Sequence, residues 1–162
     1  MSNVENLGRG VFPFDLRPST FDFFMNIDWE GLIVGFESRS RQITHFFDRE
    51  TGDVEQVLER DLDRHTAMSR DPRYVALPRD EGERSRGDLE EFLGHCEDPE
   101  CRRALEAALA AADSAPRYRE VLLRHPKEEA RFFQFKEHQA LERAQRWLAS
   151  VGVAFTKPLR EM

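Results

Sequence analysis

The sequence is short of cysteine, and that shortage excludes a structural class at once. Only Cys96 and Cys101 are present among 162 residues, so no disulfide framework holds the fold. Both fall on apolar faces of expected helices, which predicts buried, reduced thiols in a cytoplasmic protein. Long apolar runs are also missing. No stretch approaches the ~20 residues needed to span a bilayer, so no membrane association is expected. The first residues, MSNVENLGRG, have neither the basic nor the apolar region of a secretory signal. Positive charge is in deficit as well, with 24 Lys and Arg against 31 Asp and Glu and a net charge of -7. Such a balance gives no general attraction to phosphate backbones or anionic lipid, and nucleic acid is a disfavoured partner. There is no internal repeat and no low-complexity tract.

Reaction motifs are missing too. The chain has no G-x-S-x-G, no phosphate-binding loop and no dinucleotide fingerprint, and no cofactor is expected. Neither cysteine has a motif that places a base beside it. His45, His65, His125 and His138 are scattered, and a strand histidine such as His45 is more often packed than catalytic.

What is present is a folded, soluble composition, 40% hydrophobic and 34% charged, long enough for one domain with a sizeable core. Its strongest pattern is the helix expected over Pro126–Ser150. Pro126 suits the first helical position. Glu128 and Glu129 follow in the first turn, near the positive end of the dipole. Phe133, Ala140, Leu141, Ala144, Trp147 and Leu148 recur at helical spacing, and Phe132 and Phe135 widen that face. Gly152 closes the helix. An aromatic stripe of this kind reads as core in preference to a cofactor box.

Ahead of this helix the chain reads as helix, three strands and three further helices. A helix over 28–38 starts at Asp28, with Trp29, Leu32, Ile33 and Phe36 on one face. Gln42 to Phe47 and Val54 to Leu58 form a hairpin around Arg49-Glu50-Thr51-Gly52, where Gly52 is free to take positive φ. Val57 and Leu58 cannot both face inward in a regular strand. Residues 60–72 are polar, a loop or short helix. Tyr74 to Leu77 is a third strand, closed by Pro78. Ser85-x-x-Asp88 has the spacing of a capping box, opening a helix with the stripe Leu89, Phe92, Leu93 and Cys96. Asp98-Pro99 opens the next, with Cys101, Ala104, Leu105, Ala108, Leu109 and Ala112 inward. A shorter helix from Ser114 carries Tyr118, Val121 and Leu122. The tail with Val153 and Phe155 is an edge strand or a loop. The fold class is therefore α+β: a small antiparallel three-stranded sheet, an N-terminal helix and a four-helix C-terminal portion. Residues 1–27 form an aromatic-rich arm before a single domain over 28–162. Phe12, Phe14, Phe21, Phe23 and Phe24 in that arm pack either on the domain or on a protein partner, a second copy included.

Five features in order resemble a bacterial family catalogued as uncharacterised protein family 0158. They are Phe47-Asp48-x-x-Thr51-Gly52-Asp53-Val54, Tyr74-Val75-Ala76-Leu77-Pro78, Phe92, Leu105-x-x-Ala108-Leu109, and Ala144-x-x-Trp147-Leu148 before Gly152. The similarity runs from about Trp29 to Val153. It departs around Asp113 to Tyr118, where Asp-Ser-Ala-Pro-Arg-Tyr stands in place of a Gly-rich turn and a Phe. The resemblance implies a fold and brings no activity or catalytic residues with it.

Candidate chemistry weighs against bland readings. His95, Cys96 and Cys101 lack a zinc spacing. Asp48, Glu50, Asp53 and Glu59 around Gly52 look superficially like a calcium loop, but Asp53 occupies the required glycine position and the flanks are strands. Asp80, Glu81, Glu83, Asp88, Glu90 and Glu91 offer paired carboxylates for a metal-assisted hydrolase, although charge runs at helix starts are usually solvated faces. Arg39 and Arg41, and Arg117, Arg119, Arg124 and Arg131 with Tyr118 and Phe132 between them, offer local basic patches for RNA, against an acid excess that can pair them. The leading reading is a non-enzymatic binding or regulatory domain that recognises a protein partner. A hydrolase using Asp80 to Glu91 and an RNA-binding patch are the alternatives.

Overall fold

Strand β1 (Ile43–Asp48) is the centre of the sheet, and both of its faces are covered. A computed structural model describes residues 25–79 and 83–158. Among these, β1 lies between β2 (Val54–Leu58) and β3 (Tyr74–Ala76), in the order β2-β1-β3 with both pairings antiparallel. Phe47 and Val54 are opposite each other, as are Ile43 and Leu58. The turn between them is closed by Gly52 at φ 82, and a side chain there would run into the Asn26 carbonyl oxygen. The chain entering the domain passes over this turn, with the Asp28 N–H donating to the Gly52 carbonyl. Residues Met25 and Ile27, counted with the arm on sequence, pack into the core here. Phe12, Phe14, Phe21, Phe23 and Phe24 lie outside the described residues.

Helix α1 (Trp29–Glu37) is capped by Asp28, whose carboxylate accepts the Gly31 N–H at 2.9 Å. It covers one face of the sheet with Leu32 and Phe36, against Phe47 and Leu77. The polar stretch after β2 is helical over Leu62–Arg70 (α2), capped by Asp61. It closes the other face by burying Met68 against Phe46 and Val57. Val57 is the inward residue of its strand, and Leu58 is 41% exposed.

The remaining helices are α3 (Glu83–Phe92), α4 (Pro99–Leu109), α5 (Ser114–Leu123) and α6 (Pro126–Ser150). Helix α3 corrects the capping-box reading. It already runs from Glu83, so Ser85 lies inside it, and the Asp88 carboxylate is bound to Arg143 of α6. Cys96 follows a turn after α3 and does not sit on the helix. Asp98 caps α4, accepting the N–H groups of Glu100 and Cys101. Helix α6 is roughly 37 Å long at 1.5 Å per residue and serves two cores. Its first half places Phe132 among Phe92, Leu105, Tyr118 and Leu122. Its second half places Ala144 and Leu148 among Leu32, Phe36 and Phe47. Phe132 is the buried aromatic of the first half, whereas Phe133, assigned to the apolar face on spacing, is 61% exposed.

The end of α6 is a Schellman motif. Gly152 has φ 77, its N–H donates to Ala149, and the Val153 N–H donates to Leu148. The tail beyond is loop, with Phe155 edge-on to Trp29 at 5.5 Å.

Candidate functional site

Four side chains meet where the sheet opens beyond β2 and β3. Thr44 lies on the α2 side of β1, Glu59 follows β2, His65 is on α2 and Arg79 follows β3. The Thr44 hydroxyl donates to Glu59, and Arg79 donates to both Thr44 Oγ1, at 2.7 Å, and Glu59. His65 Nε2 is 3.1 Å from Thr44 Oγ1 and 3.5 Å from Glu59 Oε1. The Thr44 hydroxyl, with the nearby Arg79 and His65, holds the Glu59 carboxyl below its ordinary pKa.

A Thr-His-Glu set suggests nucleophilic catalysis, but the geometry is different. The carboxylate sits on the Nε2 side of His65, where it competes for the hydroxyl proton. In a working triad it would orient the imidazole through Nδ1. His65 Nδ1 faces Ser69 Oγ at 3.5 Å, and that hydroxyl is itself committed to the His65 carbonyl at 2.7 Å. The network ties β1, the end of β2, α2 and the segment after β3 together. His45 lies on the opposite face of β1, packed under Gly35 and Leu77. Burial, then the charge of Arg79, lowers its pKa and favours the neutral form.

The acidic candidates are largely committed. The Asp88 carboxylate takes a two-pronged contact from Arg143, one arm at 2.9 Å. Glu90 pairs with Arg86 at 3.1 Å, and Gln139 reaches Glu91 at 3.5 Å. Asp80 and Glu81 lie outside the described residues. In the hairpin, Asp48 accepts the N–H of Glu50 at 2.9 Å and is gripped by Arg73 at 2.9 and 2.7 Å. It is a turn and ion-pair residue. Among the described residues no three His, Cys, Asp or Glu side chains converge as a metal set.

Cys96 and Cys101 are both buried beside Glu128. Burial, then its thiol neighbour Cys96, pushes Cys101 up to about 12, and burial raises Cys96 as well. Glu128 does more than favour the helix dipole. It is buried, and its Oε1 accepts the N–H groups of Glu97 at 3.2 Å and Asp98 at 3.1 Å, pinning the α3–α4 connection to α6. The thiolate is the reactive form, and burial disfavours it at both cysteines. At pH 8, Ellman's reagent is expected to titrate them no faster than the protein unfolds. A fast phase in folded protein would show that the pocket opens.

The basic candidates divide. Arg131 is occupied by Glu97 and, at 3.7 Å, Glu128. Arg119 is exposed on α5 and lies outside the groove next to it. Arg117 and Arg124 come together. They stand seven residues apart on one face of α5 and line an open groove of about 290 Å³ against α4. Ala104, Ala107 and Ala108 form the α4 wall, and Glu120 and Val121 complete the α5 wall. Arg117 pairs with Asp113 at 2.6 Å. Spacing on α5 makes this pair findable, and Ala104 and Ala108 opposite belong to the inward stripe expected of α4. Among the described residues no helix is long and apolar enough to cross a membrane.

The residues that carry the family resemblance are those that build the scaffold. Phe47, Phe92, Leu105, Ala144 and Leu148 are fully buried, and Asp48, Gly52 and Gly152 shape the turns. No curated protein and no solved structure matches the chain. A family model described as Uncharacterised protein family (UPF0158) matches residues 24–159, and the chain belongs to that family.

Proposed function

We propose that the protein is a non-enzymatic binding domain that takes a short acidic segment of a partner protein in the α4–α5 groove. The observation that carries this reading is the groove's composition: an alanine wall that leaves room for an apolar side chain, flanked by Arg117 and Arg124. Arg124 is exposed and has no ion-pair partner among the described residues. The overall charge of -7 opposes an acidic partner at long range, Arg117 is paired with Asp113 and Glu120 lines the same groove, so affinity depends chiefly on the local field of Arg124. Such contacts weaken as salt rises.

The test is fluorescence anisotropy with a labelled peptide of mixed Glu and Leu, beside its Gln and Leu counterpart. The acidic peptide is expected to bind more tightly, and Arg124→Glu to weaken it roughly tenfold or more. The unfolding midpoint should be unchanged, because the side chain is exposed. Equal binding of both peptides, or no response to Arg124→Glu, overturns the reading.

A further inference from the structure

We propose that β2 is an interface through which two copies of this chain pair strand to strand about a two-fold axis. The inference is independent of the α4–α5 groove and starts from the hydrogen-bond register. The Asp48 N–H donates to the Asp53 carbonyl, and the Glu59 N–H donates to the Gln42 carbonyl. Pairing alternates along an antiparallel ladder, so Asp53, Glu55, Val57 and Glu59 direct their backbone groups to β1. Val54, Gln56 and Leu58 direct theirs the other way, to the edge of the sheet. There the Leu58 carbonyl is taken by the Asp61 N–H. The remaining edge groups have no backbone partner among the described residues.

Such an edge is a template for another strand unless something blunts it. The two edges of this sheet differ. β3 is three residues long and is followed at once by Leu77 and Pro78. β2 contains no proline, glycine or lysine, and its Leu58 is 41% exposed.

The edge is self-complementary about Gln56. Two-fold antiparallel pairing sets Gln56 opposite Gln56 of the second copy, and Val54 opposite its Leu58. The apolar residues thus meet each other on one face. Helix α1 stands over the Val54 end of that face, where Gly31 is against Val54, so Leu58 of the second copy comes beside α1. Pairing stops at Leu58, because the chain turns at Glu59 and Arg60 and the Gly52 carbonyl is already taken by the Asp28 N–H. Glu59 and Asp53, the acidic residues just outside β2, face the same ends of the two-fold pair, and Glu59 is already held by Arg79 and Thr44.

Sedimentation equilibrium of the full chain across a concentration series tests this, together with hydrogen exchange at the Val54, Gln56 and Leu58 amides. The expected result is a monomer–dimer equilibrium in which these amides gain protection as concentration rises. Leu58→Lys and Gln56→Pro should each weaken the dimer by roughly tenfold or more. Leu58→Lys changes only an exposed side chain, so its unfolding midpoint should equal that of wild type under monomeric conditions. A chain that stays monomeric throughout overturns the proposal. So does a dimer indifferent to Leu58→Lys. Protection at these amides that is the same at every concentration also overturns it, because the chain's own residues would then cover the edge.

Discussion

Replacing Phe92 with alanine is expected to lower the unfolding free energy by about 3–5 kcal/mol, the range for truncating a core aromatic. The side chain is 0% exposed. Its ring lies edge-on to Phe132 at 5.2 Å and against Phe135 at 5.6 Å. It therefore joins the end of α3 to the first half of α6, in the cluster that also holds α4 and α5. The Phe92 carbonyl accepts the N–H groups of His95 and Cys96 and so shapes the turn after α3. A collapse that filled the cavity would have to move Phe132, which also packs on Tyr118 at 5.6 Å. Net stability of a domain is only about 5–15 kcal/mol, so the variant should sit close to its unfolding transition at ambient temperature. Urea denaturation measures the change. Phe133→Ala is the control, an aromatic on the same helix as Phe132 but 61% exposed, and its effect should stay within about 0.5 kcal/mol. Equal losses for the two would mean that the core is not centred on Phe92.

That contrast also shows where sequence reading succeeds and where it fails. The ends of α6 were legible because Pro126 and Gly152 act through their own backbone chemistry, and the hairpin was legible because Gly52 does. Periodicity could not choose between Phe132 and Phe133. They are adjacent, and a helix with neighbours on two sides has a wide apolar face. Helix α2 gave no period because Met68 is its one buried residue; Asp61 was the available signal, an N-cap accepting the Arg64 N–H at 3.3 Å. The Ser85 capping box failed because Asp88 finds Arg143, 55 positions away, and no local rule contains that distance. Glu128 was assigned to the dipole for the same reason. Its partners are the backbone amides of Glu97 and Asp98, brought near by the fold of four helices. At the candidate site, Arg117 and Arg124 were findable from α5 alone, while the pairing of Arg131 with Glu97 removed it from any patch.

The pair formed by Asp48 and Arg73 is the second place where a single change should be costly. Asp48→Ala is expected to destabilise the protein by about 3 kcal/mol, the lower end for breaking a buried ion pair, because Arg73 keeps partial solvent contact. The Asp48 carboxylate is buried and does two jobs, accepting the Glu50 and Thr51 N–H groups of the turn and holding Arg73 with both oxygens. Asp48→Asn should fall between wild type and alanine, since an amide oxygen can still accept the turn N–H groups but the charge attraction is lost. The pH dependence separates the two jobs. Hydrogen bonding from Arg73, supported by the turn amides, holds the Asp48 carboxyl well below the ordinary carboxylate range. A carboxyl whose pKa is lower folded than unfolded contributes stability that is fully present above its unfolded value, about 3.9. As pH falls below that value the unfolded chain takes up the proton first, and the contribution drains away. The gap in unfolding free energy between wild type and Asp48→Asn should therefore be constant from about pH 7 down to about pH 5 and shrink steadily below about pH 4. A gap that holds its full size to about pH 2 would assign the loss in Asp48→Asn to altered packing of the hairpin turn, with no role for the charge on Asp48.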